Sequence, residues 1–141
     1  MAYELTRLDP VAGLLFGDFW GRSGRCGVTR DGLWAPSVDV EETKDEVIVK
    51  AELPGLRRED IKVHAQGDTL AITGERQQEA ETTEKTTHLV ERAYGKFQRV
   101  IGLPVDVDGT RARATYEQGV LTIHLPKSEQ AKPREITVEV R

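Results

Sequence analysis

The sequence predicts an all-β domain, a sandwich or a barrel, on three observations. Short segments carry apolar residues at every second position, the period of a strand with one buried face. Turn dipeptides separate them: Pro54-Gly55, Gly67-Asp68, Asp108-Gly109 and Gln118-Gly119. The segments also recur at short, regular spacing, as they do in two-sheet and closed-sheet proteins.

Taken in order, the chain begins with an arm, residues 1–35. Gly13, Gly17, Gly21, Gly24, Gly27 and Gly32 disfavour a long regular element there. Asp9 as N-cap and Pro10 at the first position suit one short helix over "DPVAGLLFGDFW". The arm also holds Tyr3, Phe16, Phe19, Trp20 and Trp34, five of the chain's eight aromatic residues. A glycine-rich segment forms no core alone, so its apolar side chains dock on something. Packing back on its own domain is the plainer reading. The sharper one is a sticky arm whose contacts are Leu14, Leu15, Phe16, Phe19 and Trp20.

The domain itself is expected over residues 36–126. "DEVIVKAEL" sets Val47, Val49, Ala51 and Leu53 on one face. "EDIKVHA" does the same with Ile61, Val63 and Ala65, and "DTLAITGE" with Leu70 and Ile72. "GKFQRVIGLP" gives Phe97, Ile101 and Leu103, with Arg99 in their row. "GVLTIHLPK" gives Leu121, Ile123 and Leu125. The exception is residues 75–92, long and highly charged. Loops of that length are usually functional or mobile. Its later part, "TTHLVE", has strand character.

Residues 127–141 form a tail. "PKSEQAKP" reads as a flexible linker. Behind it Ile136, Val138 and Val140 alternate with Thr137 and Glu139, a strand without a neighbour.

Charge and chemistry exclude several functions. The net charge is -4. The arm nets to zero and the tail to about +1, so the β domain carries about -5. Such a domain is a poor partner for nucleic acid, whose affinity rests on neutralised phosphates. The arginines of "GRSGRCGVTRDG" change this little, because Asp31 sits among them. The lone Cys26 allows no internal disulfide and permits a cytoplasmic address, which is the expected localisation. "VAGLLF" is far too short to span a membrane. His64, His88 and His124 have no partner at metal-ligand spacing, and two of them fall on the polar side of alternating strands. Ser23 lacks the second glycine of a nucleophile elbow. No phosphate-cradling loop follows a strand. No enzyme, cofactor or metal site is expected.

Residues 38–63, "VDVEETKDEVIVKAELPGLRREDIKV", resemble the opening strands of the α-crystallin domain of small heat-shock proteins, with Leu53-Pro54-Gly55 at the turn. "ERAYGKFQRVIGLP" and "ATYEQGVLTIHLPK" resemble its central and closing signatures. Ile136-Thr137-Val138 resembles the family's C-terminal Ile-x-Ile/Val motif. These stretches fall in family order from about residue 36 to 140. The long loop resembles the bacterial and plant branch.

The resemblance implies an immunoglobulin-like β-sandwich with a flexible arm and tail, and an ATP-independent holdase that keeps unfolding or misfolded clients soluble under heat or other stress. It implies homodimers assembling into larger homo-oligomers. Thr86, Thr87, His88, Leu89 and Val90 would pair with the strand holding Val38 and Val40 in a second subunit. Arg99 would lie at that interface. Strand addition, with Ile136 and Val138 as knobs, would seat the tail in a groove walled by Ile61, Val63, Ala112 and Ala114. Two other classes stay open: a co-chaperone-like β-sandwich adaptor for one folded partner, and an enzyme on a β-sandwich. The tail motif argues against the first and the empty search for catalytic residues against the second.

Overall fold

The computed structural model describes residues 33–79 and 83–140. The arm contacts Leu14, Leu15, Phe16, Phe19 and Trp20, and the helix expected near them, lie outside those residues.

Seven strands follow in chain order: β1 (Val38–Glu42), β2 (Glu46–Glu52), β3 (Ile61–Gln66), β4 (Thr69–Arg76), β5 (Gly95–Gly102), β6 (Arg113–Glu117) and β7 (Val120–Pro126). They form a four-stranded sheet in the order β1-β2-β7-β6 and a three-stranded sheet in the order β3-β4-β5. Every named pair is antiparallel. Two sheets face to face make a sandwich, which settles the choice between sandwich and barrel.

The alternating residues meet between the sheets as their period requires. Val47, Val49 and Ala51 of β2 and Leu121, Ile123 and Leu125 of β7 face Leu70 and Ile72 of β4 and Phe97 and Ile101 of β5. All are buried. Two turns show why glycine stands where it does. Gln118 and Gly119 both take positive φ, 51° and 79°, in the two-residue turn joining β6 to β7. That geometry matches the right-handed twist of the strands it joins. Gly74 is different: a Cβ there would lie 2.1 Å from the Asp60 carbonyl oxygen and 2.6 Å from the Phe97 ring. Its missing side chain lets Phe97 and the 3-10 turn Arg58–Asp60 close over β4.

Three departures from the sequence reading matter for function. First, the sequence groups Trp34 with the aromatic arm, yet it is 4% exposed and belongs to the core. Its backbone bridges Phe97 in parallel, and its ring lies 4.8 Å from the Phe97 ring. Pro36 is fully buried beside it in the chain. Second, the expected linker is fastened at its start. Lys127 bridges Val107, and Lys127 N donates to the Asp45 carbonyl at 2.9 Å. Ser128 N donates to the Asp106 carbonyl at 3.0 Å. Third, "TTHLVE" and the tail segment around Ile136 take no strand in the single chain. Both are expected to pair with a second subunit, and neither pairs with a strand edge of its own chain.

Candidate functional site: two open sides of the sandwich

A strand at the rim of a sheet exposes backbone N–H and C=O groups, and core-face side chains there are covered only if the other sheet reaches over them. The rims here are β1 and β6 in one sheet, β3 and β5 in the other. The chain decides how they match. The 3-10 turn Gly109–Arg111, which leads into β6, closes on β3: a Cβ at Gly109 would lie 3.0 Å from the Ala65 carbonyl oxygen. Trp34, on the edge of β5, lies four residues before β1. So β3 and β6 share one side, and β5 and β1 share the other.

On the first side, Ile61 and Val63 pair across from Gly74 and Ile72, which places them on the core face, yet they are only half-buried. Ala114 pairs across from Ile123 and so also faces inward, yet it is exposed. Ala112 is half-buried and packs on the core. Inward-facing apolar side chains are thus left open to solvent beside two unpaired strand edges. The small side chains of Ala112, which ends the 3-10 turn, and of Ala114 on β6 leave this side shallowly filled.

On the second side, Val38 and Val40 pair with Ala51 and Val49, again the core face, and Val40 is 39% exposed. Arg99 pairs with Ile72 in a ladder without interruption, so no bulge turns it to solvent. It is half-buried, and its Nε is buried without a hydrogen-bond partner. A buried guanidinium nitrogen left unpaired is costly. An acceptor from outside this chain would relieve it.

The structure does not bring Thr86–Val90 or the tail onto either side. Leu89 is 74% exposed, and Ile136 and Val138 are 85% and 83% exposed. Side chains of this size gain roughly 1.5–3 kcal/mol each when buried, so covering them would be favourable.

The tail's base was missed by the sequence reading. Lys127 Nζ lies 2.6 Å from Glu42 Oε1, with the lysine side chain 6% exposed, so its stem completes the core row that Ile123 and Leu125 begin. Arg111 Nη2 donates to the Lys127 carbonyl at 3.4 Å and lies 3.8 Å from Glu129. A hydrogen bond from Lys132, at 2.8 Å, is the main cause that holds the Glu129 carboxyl below its usual range. The signal in the sequence was period two carried one step further, into a residue that a hydrophobicity reading passes over.

Asp108 anchors the turn above this base. Its carboxylate accepts from Thr110 N at 3.0 Å and from Arg111 Nε at 2.8 Å. The Thr110 hydroxyl, followed by Arg111, lowers the Asp108 pKa from 3.8 to about 2. A folded-state value below the unfolded one stabilises the turn fully above about pH 4, and that contribution fades as pH falls toward 2. An NMR titration of the Thr110 amide should show a midpoint near pH 2. A midpoint near the ordinary carboxylate value would contradict these contacts.

A shallow cleft lined by Glu46, Arg111, Arg113 and His124 lies on the outer face of the four-stranded sheet, with His124 Nδ1 3.2 Å from Glu46 Oε1. Among the described residues no group of three His, Cys, Asp or Glu side chains is placed to hold a metal ion. No helix among them is long and apolar enough to cross a membrane. The fold defines a β-sandwich with two open sides and exposed apolar residues on segments outside them.

The comparisons agree with that class. Residues 39–141 match the model of the Hsp20/alpha crystallin family, and the chain belongs to this family. It is 39% identical over 127 residues to Heat shock protein 16 of Schizosaccharomyces pombe, covering 89% of each chain. It is 38% identical over 104 residues to Small heat shock protein C2 of Rickettsia felis, covering 74% of this chain and 68% of that one. A solved small heat-shock protein from Xylella fastidiosa, described as having a distinct high order structure, superposes with a TM-score of 0.60 at 36% identity. That match covers 76% of this chain and 98% of the other. Small heat-shock proteins are ATP-independent chaperones that bind unfolded clients and form oligomers.

Proposed function

We propose that this chain is a holdase: without nucleotide, it binds unfolding proteins and keeps them from aggregating under heat or other stress. The observation that carries the reading is the pair of open sides, where core-face residues and strand edges stay uncovered in a chain that also exposes Leu89, Ile136 and Val138. A chaperone of this kind needs apolar surface that is sheltered in an assembly and released on demand. The net-negative domain limits self-precipitation. The arm, residues 1–35, supplies the client contacts through Leu14, Leu15, Phe16, Phe19 and Trp20, with Trp34 as its root in the sandwich. The setting is the cytoplasm, where a lone cysteine persists as a thiol.

Assembly uses both sides. Thr86–Val90 of one subunit adds to the free edge of β1 in another, covering Val38 and Val40 and giving Arg99 an acceptor. The tail of a neighbouring dimer lies between β3 and β6, with Ile136 and Val138 against Ile61, Val63, Ala112 and Ala114. The domain, residues 36–126, and the tail, residues 127–141, then have separate tasks. The adaptor alternative has no use for a tethered Ile-x-Val segment.

Light scattering of two unrelated heat-labile clients tests the function. Scattering should fall with added protein and no nucleotide. A need for added ATP would sink the reading. The dimer contact has its own test. Arg76 and Gly95 are directly paired, so a short glycine-serine link can replace residues 77–90 without stretching the ladder. The product should be monomeric by analytical ultracentrifugation; a dimer of unchanged stability would exclude the exchange of this loop.

A further inference from the structure

One indole joins three places where the chain enters or leaves the sandwich. Trp34 is the root of the arm. Arg76 is the last residue of β4, where the long loop departs, and Gly95 is the first residue of β5, where it returns. Trp34 Nε1 donates to the Gly95 carbonyl at 3.1 Å. The Arg76 guanidinium lies over the Trp34 ring, 4.1 Å from its centroid, and its Nη1 donates to the Ala93 carbonyl at 3.1 Å. The Phe97 ring also neighbours the indole, and Gln98 N donates to the Trp34 carbonyl at 3.4 Å. Arg76 is 8% exposed and Trp34 4%. Both ends of the loop are therefore held by contacts that converge on one side chain at the base of the arm.

We propose that Trp34 and Arg76 form a latch that couples the arm to the loop: whatever displaces the arm at its root loosens Ala93–Gly95, and loosening the loop frees Trp34. The physical basis is the shared set of contacts. A buried cation over an indole is held by that ring and by its carbonyl acceptor together, so losing the ring weakens the grip on Ala93. The Gly95 carbonyl loses its donor at the same moment. The coupling rests for its biological meaning on the proposed role of the loop in joining subunits. Client engagement by the arm would then bias subunit release through a contact inside one chain. Coupling between two sites is reciprocal by thermodynamic necessity, which gives the idea two independent readouts.

The full-length chain carries two tryptophans, so Trp20→Phe leaves Trp34 as the sole emitter. In that background Arg76→Ala should shift Trp34 emission to the red, because the ring loses its cover. Conversely, Trp34→Phe should speed amide exchange in the peptide spanning Ala93–Gln98 by about tenfold or more, while β2 and β7 keep their protection. Arg76→Lys keeps a cation near the indole but removes the fork that reaches Ala93; it should give an intermediate shift and serves if Arg76→Ala does not fold. Unchanged Trp34 emission in either Arg76 variant would overturn the latch. So would exchange that rises equally in Glu46–Glu52 and Val120–Pro126, since Trp34 would then be an ordinary core residue. Both readouts are made without client, so they stand or fall apart from the chaperone activity.

Discussion

Replacing Ile136 and Val138 together with alanine should drop the large oligomer to dimers or other small species, with the β domain still folded. The magnitudes explain why so small a change has so large an effect. Each side chain contributes about 1.5–3 kcal/mol on burial. Backbone hydrogen bonds along an added strand contribute roughly 0.5–1.5 kcal/mol each. Association costs on the order of 4–15 kcal/mol, so a single tail is a weak, exchanging contact. Only many tails acting together hold an assembly, and each dimer's hold then falls with both of its tails. The fastened base sharpens the expectation. With Lys127 and Ser128 tied to the domain, only the segment beyond the turn at Ser128–Ala131 remains to reach a neighbour. Multi-angle light scattering reads the outcome. An unchanged mass would mean that these residues serve the chain's own sandwich.

Deletion of the arm should have the next largest effect, and where the cut is made decides what it shows. Removing residues 1–32 takes away Leu14, Leu15, Phe16, Phe19 and Trp20 and leaves Trp34 in place. The domain should stay folded while client protection falls sharply. Removing residues 1–34 also takes Trp34 from the core. Loss of a buried aromatic side chain costs about 3–5 kcal/mol. A domain of ordinary stability has only about 5–15 kcal/mol in total, so this version should melt well below the first. Thermal unfolding followed by circular dichroism separates the two shortened chains. Full protection by the chain lacking residues 1–32 would remove the arm from the account.

The division between legible and hidden features follows from what period and composition report. Rows such as Val47-Val49-Ala51-Leu53 and Leu121-Ile123-Leu125 were plain because a sandwich core is built from period-two alternation, and every one of these residues is buried. Arg99 was placed correctly on the inner face by the same logic. Trp34 was hidden by the glycine-rich company it keeps, although Trp34, Pro36, Val38 and Val40 already alternate. Lys127 was hidden because its burial depends on Glu42, which is 85 residues away and invisible to any local pattern. Arg76 was hidden for the same reason: its partners include Ala93 across the loop and Trp34 ahead of the first strand. The two open sides were not legible as such, since openness depends on which sheet edges face each other. Side-chain size offers Ala112 and Ala114 as walls opposite Ile61 and Val63, since small alanines leave room for two knobs, but size carries no information on which edges lie together.

The central claim is that this sandwich shelters unfolding proteins by direct contact and without nucleotide. Its most direct measurement is size-exclusion chromatography of a heat-labile client warmed with the full-length protein in nucleotide-free buffer. Warming should yield a soluble high-mass fraction that contains both chains and is absent without it. Client found wholly in the pellet, with this protein eluting as it does alone, would contradict it.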